Sequence, residues 1–95
     1  PQSACRPAAI ASYSAGPFAG IRAATAWRTT LGAMGMVVTA TPLSLARIGG
    51  AFDADGGPAG EDGERLARAF PRFADDLAWW TDAAKAQREQ APPPF

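Results

Sequence analysis

The chain has 95 residues, with nine basic and nine acidic side chains, one cysteine and no histidine. This length allows one small domain, which buries only about 60–65% of its unfolded surface. The lack of histidine excludes Ser-His and Cys-His nucleophilic catalysis and most zinc sites. A single cysteine, Cys5, cannot form a disulfide framework, so we expect a reducing compartment and a cytoplasmic protein.

Charge and hydropathy argue against two classes of partner. The arginines are scattered along the chain, which argues against nucleic-acid binding. Arg65, Arg68 and Arg72 share one face of a predicted helix, but acids around Asp75 and Asp76 alternate with them, and we interpret this as a solvated face. No apolar run reaches the roughly 20 residues that cross a bilayer, so we expect no membrane.

A short strand and a loop of small residues come first. Residues 8–11 are apolar and predict a buried strand, after which Ser12, Ser14, Gly16 and Gly20 keep the side chains small. Small side chains let a flat or anionic ligand approach the main chain, and a following helix offers unpaired N–H donors. The loop is our candidate ligand site, with an ordinary strand-to-helix turn as the alternative.

The next two segments predict a βαβ unit. Pro17 suits the first turn of a helix, and apolar residues at helical spacing predict that helix over about residues 18–31. Residues 36–40 are nearly all apolar, which is typical of a strand covered on both faces in a parallel sheet. A strand, a helix and a strand at this spacing predict a parallel pair with a right-handed crossover.

Residues 41–63 predict a long exposed loop, because they are rich in Pro, Gly and Asp. Only a short turn at residues 43–48 is expected inside it. The acidic residues of the loop have a spacing similar to a calcium-binding loop. However, Gly57 replaces one ligand and Pro58 stands where a glycine is needed, so we expect a solvated acidic loop and no metal.

A long amphipathic helix is predicted from about residue 62. Its apolar positions recur every three to four residues, at Leu66, Phe70, Phe73, Leu77, Trp80 and Ala84. Pro71 deletes one backbone N–H inside this pattern, and we expect it to kink the helix. Trp79 and Trp80 could stack on a ligand, but packing or a subunit contact is favoured. Residues 91–95 form a Pro-rich tail.

Two strands and two helices make a poor independent fold, because both sheet edges stay unpaired. Several motifs together resemble the C-terminal half of the NADPH-dependent FMN reductases, over about residues 6–88. They are Ser-x-Ser-x-Gly-x-x-x-Gly-x-Arg at residues 12–22, Gly-Met-Val-Val at 35–38, Ala-Phe-Asp-x-Asp-Gly at 51–56, and Trp79-Trp80. This family contains quinone, chromate and azo-compound reductases.

The resemblance implies a partial flavodoxin-like, three-layer α/β fold for residues 1–95, with parallel β-strands, a crossover helix and the long C-terminal helix. It implies hydride transfer from NADPH or NADH to FMN and on to a quinone-like or oxyanion acceptor, in a dimer or tetramer. The cofactor-binding residues implied are Ser12, Tyr13, Ser14, Ala15, Gly16 and Gly20. Flavin and nicotinamide carry their own reactivity, so we assign no catalytic side chain.

The chain departs from the family pattern in three ways. Ala19-Gly20 replaces two adjacent glycines, and neither the family's phosphate-binding loop nor its Pro-x-Tyr-Asn-like segment lies in this sequence. The chain also starts at Pro1, so we expect a fragment that is inactive alone. Two alternatives stay open: a non-catalytic βαβ interaction module, and a nucleotide- or CoA-binding domain that uses the same loop without redox chemistry.

Overall fold

A computed structural model describes residues 4–94, so residues 1–3 and 95 of the predicted domain and tail lie outside the description. The strands are β1 (Pro7–Ala8), β2 (Ala11–Tyr13), β3 (Val37–Val38) and β4 (Leu43–Leu45). The helices are α1 (Ile21–Ala33) and α2 (Gly60–Gln90), with one 3₁₀ turn at Ile48–Gly50 between them. The chain is therefore mixed α/β, as predicted.

The four strands form two small parallel sheets, β1 with β3 and β2 with β4, which follow one another along a single interrupted strand pair. In β1 and β3, Pro7 lies opposite Val37, and in β2 and β4, Ala11 lies opposite Leu43. Between these pairs, the segment from β3 to β4 has two more residues than the segment from β1 to β2. The longer segment therefore forms a bulge between β3 and β4. Pro42 lies in the bulge and has no N–H for a ladder hydrogen bond. The parallel strands and the helix that joins them confirm the predicted βαβ order.

Side chains from both helices satisfy backbone groups of this bulge. Arg28 of α1 donates from its NH1 atom to the carbonyl oxygen of Thr39, at 3.0 Å. On α2, Asp76 accepts through Oδ2 a hydrogen bond from the N–H of Thr41, at 3.1 Å. Neither contact follows from local sequence, because each joins residues far apart in the chain. The two helices thus stabilise the point where the strand ladder is interrupted.

The helices pack against opposite faces of the strand pair. Successive strand residues face opposite sides. Leu43 and Leu45 line an apolar groove of about 490 Å³ with α2. On the other side, Ile10 and Ser44 line a smaller groove with α1, and Ser44 also borders a groove with Leu66 of α2. The order is therefore α1, strands, α2. In the described part of the chain, no helix is both long and apolar enough to span a membrane.

Few large side chains are buried in the described residues. The buried apolar residues are Ala4, Ala19, Leu43 and Ala51. The chain exposes 6518 Å², whereas a compact protein of this mass exposes about 5,200 Å². Its radius of gyration is 15.7 Å, compared with about 12 Å for a compact domain. This exposure is what we expect of a strand pair without neighbouring strands.

The structure corrects the predicted loop at residues 41–63. This segment contains β4 and the 3₁₀ turn, and α2 begins within it at Gly60. The prediction was wrong at Leu43–Leu45 because this strand depends on pairing with β2 and on packing against α2, which local composition does not reveal. Residues 91–94 contain no helix or strand.

Several predicted boundaries also shift. The strand predicted at residues 8–11 is divided into β1 and β2, and the strand predicted at residues 36–40 is shortened to Val37–Val38. The helix predicted from residue 18 begins at Ile21, because Ala19 and Gly20 have positive φ angles of 57° and 72°. The long helix α2 continues without a break through Pro71.

Candidate functional site

The candidate loop lies at the carboxyl end of β2 and is fixed to the segment after β4. Ser14 donates its N–H to the carbonyl oxygen of Leu45 at 3.1 Å and accepts at its own carbonyl from the N–H of Ile48 at 3.1 Å. The N–H of Arg47 donates to the carbonyl oxygen of Gly16 at 2.9 Å. Backbone hydrogen bonds thus hold the loop at the sheet edge where open α/β folds bind ligands.

The hydroxyl of Ser14 closes the loop on itself. It accepts a hydrogen bond from the N–H of Ala19 at 2.9 Å and donates to the carbonyl oxygen of Gly16 at 3.0 Å. Ala19 is buried and has a left-handed φ of 57°, so this contact stabilises a conformation that alanine rarely adopts. A hydroxyl has one donor, and here it is used, so Ser14 can offer a ligand only an acceptor.

The N–H groups of Phe18 and Gly20 have no hydrogen-bond acceptor among residues 4–94, and Ala15 and Gly16 carry two further free donors of the loop. Both residues are exposed, and their N–H groups have no hydrogen-bond acceptor among residues 4–94. A side chain added at Gly16 would meet no atom within 4 Å, so the space beside this residue is open. The two N–H groups can each donate a hydrogen bond to water or to a ligand that carries acceptors.

Gly20 has a different role from Gly16. Its φ is 72°, and a Cβ there would lie 3.0 Å from the carbonyl oxygen of Tyr13 and 3.4 Å from Cβ of Ser12. Glycine is therefore required by both the backbone conformation and the close packing on β2. Gly20 shapes the loop, whereas Gly16 leaves room beside it.

The strand separates two of the predicted residues. Ser12 is half-buried and lies opposite Ser44, on the face that α1 covers. Tyr13 is 71% exposed, and strand alternation places it on the other face. Consequently Ser12 and Tyr13 do not meet one ligand on the same face of the strands.

Three residues beside the loop were not among the predicted site residues. Phe18, Ile21 and Arg22 line a groove of about 560 Å³ together with Gly20. Phe18 and Ile21 are 78% and 54% exposed, so the groove offers an apolar surface. Arg22 belongs to the Ser-x-Ser-x-Gly-x-x-x-Gly-x-Arg motif, which was the signal that could have identified the groove.

The N-terminus of α1, next to this groove, keeps its partial positive charge. Gly20 caps the helix without a side-chain hydrogen bond, and the first turn contains no acidic residue. The unpaired N–H groups of a helix N-terminus favour negative charge. The groove thus combines an apolar surface with backbone donors and positive charge.

An ion-pair cluster fixes the segment after the site. NH1 of Arg47 lies 3.1 Å, and NH1 of Arg65 lies 2.8 Å, from Oδ1 of Asp62 in the first turn of α2. The hydrogen bond from Arg65 is the main cause that lowers the pKa of Asp62 below its ordinary value of 3.8; the charge of Arg47 adds to this effect and desolvation opposes it. The cluster connects the loop-contacting residue Arg47 to α2.

The acidic loop has a structural role in the described chain. Oδ1 of Asp53 accepts hydrogen bonds from the N–H groups of Asp55 and Gly57, both at 2.9 Å. This arrangement is a side-chain-closed turn of the kind that aspartate commonly forms. Residues 4–94 contain no group of three or more Cys, Asp or Glu side chains placed to hold a metal ion.

Comparison of the chain with protein-family models, with curated proteins and with solved structures gives no match. Assignment of a function therefore depends on the residues and geometry of the chain itself.

Proposed function

We propose that this chain is the C-terminal portion of a flavodoxin-like reductase that transfers hydride from NADPH or NADH to FMN and on to a quinone-like or oxyanion acceptor. The observation that carries the proposal is the pair of N–H groups without an acceptor on the exposed residues Ala15 and Gly16. They lie on an anchored loop at the carboxyl end of a parallel strand, beside open space.

The residues of the chain would bind and orient the cofactor, while FMN and the nicotinamide supply the redox chemistry. The N–H groups of Ala15 and Gly16 would donate to acceptors at the ring edge, and Ser14 would accept from a ring N–H. The exposed side chains of Phe18 and Ile21 would cover part of the apolar ring surface and shield it from water.

The exposed surface supports the proposal that further elements complete the fold. Each strand of the pair has one edge with no partner strand in the described part of the chain. Among residues 4–94, ten large apolar or aromatic side chains are also exposed, including Trp27 of α1 and Phe70 of α2. Additional parallel strands would cover the edges, and these would come from the N-terminal half of the proposed domain.

The loop is tested in a complex of this chain with the N-terminal half of a related FMN reductase. Gly16→Val should weaken FMN binding at least tenfold, or ~1.4 kcal/mol. A Cβ atom at this position meets no atom within 4 Å in the free chain, so the substitution is expected to act on ligand space rather than on the fold. Gly32→Val is the matched control, because it also meets open space but lies at the far end of α1.

Flavin fluorescence titration measures the affinities, and NADPH oxidation reports turnover. Equal FMN affinity in the Gly16→Val and Gly32→Val complexes would remove this loop from the cofactor site. Titration with CoA and ADP tests the nucleotide-binding alternative, in which these ligands bind and FMN does not. A complex that binds none of the three through this loop supports the interaction module.

A further inference from the structure

A groove lies between α2 and the bulge of the strand ladder, away from the candidate loop, and we call it the bulge groove. Its volume is about 670 Å³, whereas small-molecule sites generally occupy about 300–1,000 Å³. Ala40 and Thr41 of the bulge line it, together with residues of α2 that lie three or four positions apart: Arg68, Arg72, Asp75 and Trp79. The bulge groove is therefore large enough for a ligand and has charged and aromatic side chains to bind one.

The two arginines of the bulge groove carry uncompensated positive charge. Arg68 and Arg72 are exposed, and neither forms an ion pair with any of residues 4–94. Because they lie four positions apart, their side chains are neighbours on the helix surface and repel one another. An anion between them removes this repulsion, and the planar guanidinium group donates paired hydrogen bonds to phosphate oxygens. This end of the groove therefore favours phosphate.

The two aspartates of the groove have different roles. Oδ2 of Asp76 accepts the hydrogen bond from the N–H of Thr41 at 3.1 Å, so this carboxylate is occupied by the bulge. Asp75 is exposed and has no hydrogen bond or ion pair with any of residues 4–94. An ionised carboxylate only accepts hydrogen bonds, and in nucleotide sites it commonly accepts them from ribose hydroxyls. Asp75 therefore favours a ligand that carries hydroxyl donors.

Trp79 gives the other end of the groove an aromatic surface. Its side chain is 65% exposed, although the ring makes an edge contact with Trp80 at a centroid distance of 5.1 Å. Nucleic-acid bases stack on exposed aromatic rings of this kind. Trp79 lies seven residues beyond Arg72, which corresponds to roughly 10 Å along the helix axis. A ligand that contacts both residues must therefore be extended, with an anionic end and a planar end.

We propose that the bulge groove binds a ribonucleotide, with its phosphates at Arg68 and Arg72, its ribose at Asp75 and its base on Trp79. The order of these side chains along α2 is the order of phosphate, ribose and base in a nucleotide. A simple anion would leave Trp79 without a contact, and a neutral aromatic compound would leave both arginines unpaired. No residue of the flavin loop takes part, so the two proposals can fail independently.

Isothermal titration calorimetry of the full chain with ADP tests the ligand class. ADP should bind at least tenfold more tightly than adenosine, which lacks the phosphates, and than pyrophosphate, which lacks the ribose and the base. Equal affinity for ADP and pyrophosphate would mean that the groove holds a simple anion. Tighter binding of a single-stranded RNA oligonucleotide than of ADP would mean that it holds a polymer. Either result overturns the proposal, as does the absence of ADP binding.

Two substitutions separate the two ends of the groove. Arg72→Ala should weaken ADP binding at least tenfold and leave the affinity for adenosine unchanged, because adenosine has no phosphate. Trp79→Ala should weaken ADP and adenosine binding alike and leave the affinity for pyrophosphate unchanged. Each variant thus keeps one ligand whose binding shows that it is folded. A variant that lowers the affinity for all three ligands equally would mean a general effect on the fold, which contradicts the proposal.

Matched controls locate the site. Lys85→Ala removes an exposed cation of α2 outside the groove, and Trp27→Ala removes a tryptophan of α1 that is 56% exposed. Both should leave the affinity for ADP unchanged. Gly16→Val in the candidate loop should also leave it unchanged. ADP binding that is lost in Gly16→Val and kept in Arg72→Ala would place the nucleotide on the loop and would overturn this proposal.

Discussion

The two helices differ in how the positive end of each is balanced. The first turn of α2 contains Glu61 and Asp62, and Asp62 is paired with Arg47 and Arg65. The first turn of α1 has no acidic residue and no side-chain cap. Because a helix N-terminus attracts negative charge, the chain itself neutralises the end of α2 and leaves the end of α1 available. The helix N-terminus whose partial positive charge is not neutralised, that of α1, is the one beside the candidate site.

The helices also differ in how they contact the rest of the chain. No residue of α1 is buried, whereas Gly63 of α2 is buried against the carbonyl oxygen of Ala51. Asp76 of α2 in addition bonds the bulge at Thr41. We conclude that α2 packs more closely on the rest of the chain than α1 does.

The largest expected effect on the free energy of unfolding comes from substitution of Gly63 in α2, with Gly32 in α1 as the comparison. Gly63→Ala places a methyl group in steric conflict with the backbone of Ala51 and Pro58. The fold must shift, and we expect a loss of about 1–3 kcal/mol in the free energy of unfolding. Gly32→Ala in α1 meets open space and improves helix propensity, so it should gain up to about 1 kcal/mol.

Urea unfolding followed by circular dichroism measures both variants. Opposite signs are expected for the two substitutions. A Gly63→Ala protein as stable as the original would show that α2 does not depend on its close approach to Ala51.

The sequence predicts the periodic elements of this fold well. The spacing of Leu66, Phe73 and Leu77 predicts α2. The apolar run at residues 36–40 predicts a parallel strand, of which only Val37–Val38 forms. β4 was not predicted, because three residues after a proline carry too little periodicity. Its existence depends on hydrogen bonds with β2 and on burial of Leu43, and both of these are tertiary effects.

The same limit applies to the candidate site. The small residues of the loop identify its location, and the need for glycine at position 20 agrees with its positive φ. The use of the Ser14 hydroxyl could not be predicted, because it depends on the left-handed backbone of Ala19. The ion pair between Arg47 and Asp62 joins residues 15 positions apart and depends on how the two segments fold together.

A smaller effect is expected at the bulge. Asp76→Ala removes the acceptor for the N–H of Thr41, which is partly buried. We expect a loss of about 1 kcal/mol in the free energy of unfolding, the net value of one such hydrogen bond. Asp75→Ala is the adjacent control and should change it by less than about 0.5 kcal/mol in dilute, monomeric protein. Equal losses in both variants would mean that general charge, and not the bulge contact, is responsible.

The smallest expected effect is the pH dependence of the α2 anchor. The hydrogen bond from Arg65 lowers the pKa of Asp62 below 3.8 in the folded chain, so the unfolded chain takes up this proton at higher pH than the folded chain does. The resulting stabilisation is fully present above ~pH 5 and is lost as the pH falls below about 4 and through the lowered pKa. Asp62→Asn removes the titrating group, so the stability difference from the original chain should be constant above that range and shrink below it. Urea unfolding at a series of pH values measures the difference. A difference that stays constant to the acid limit would mean that Asp62 contributes to stability without its charge, and the contrast between the two helix ends would then not be electrostatic.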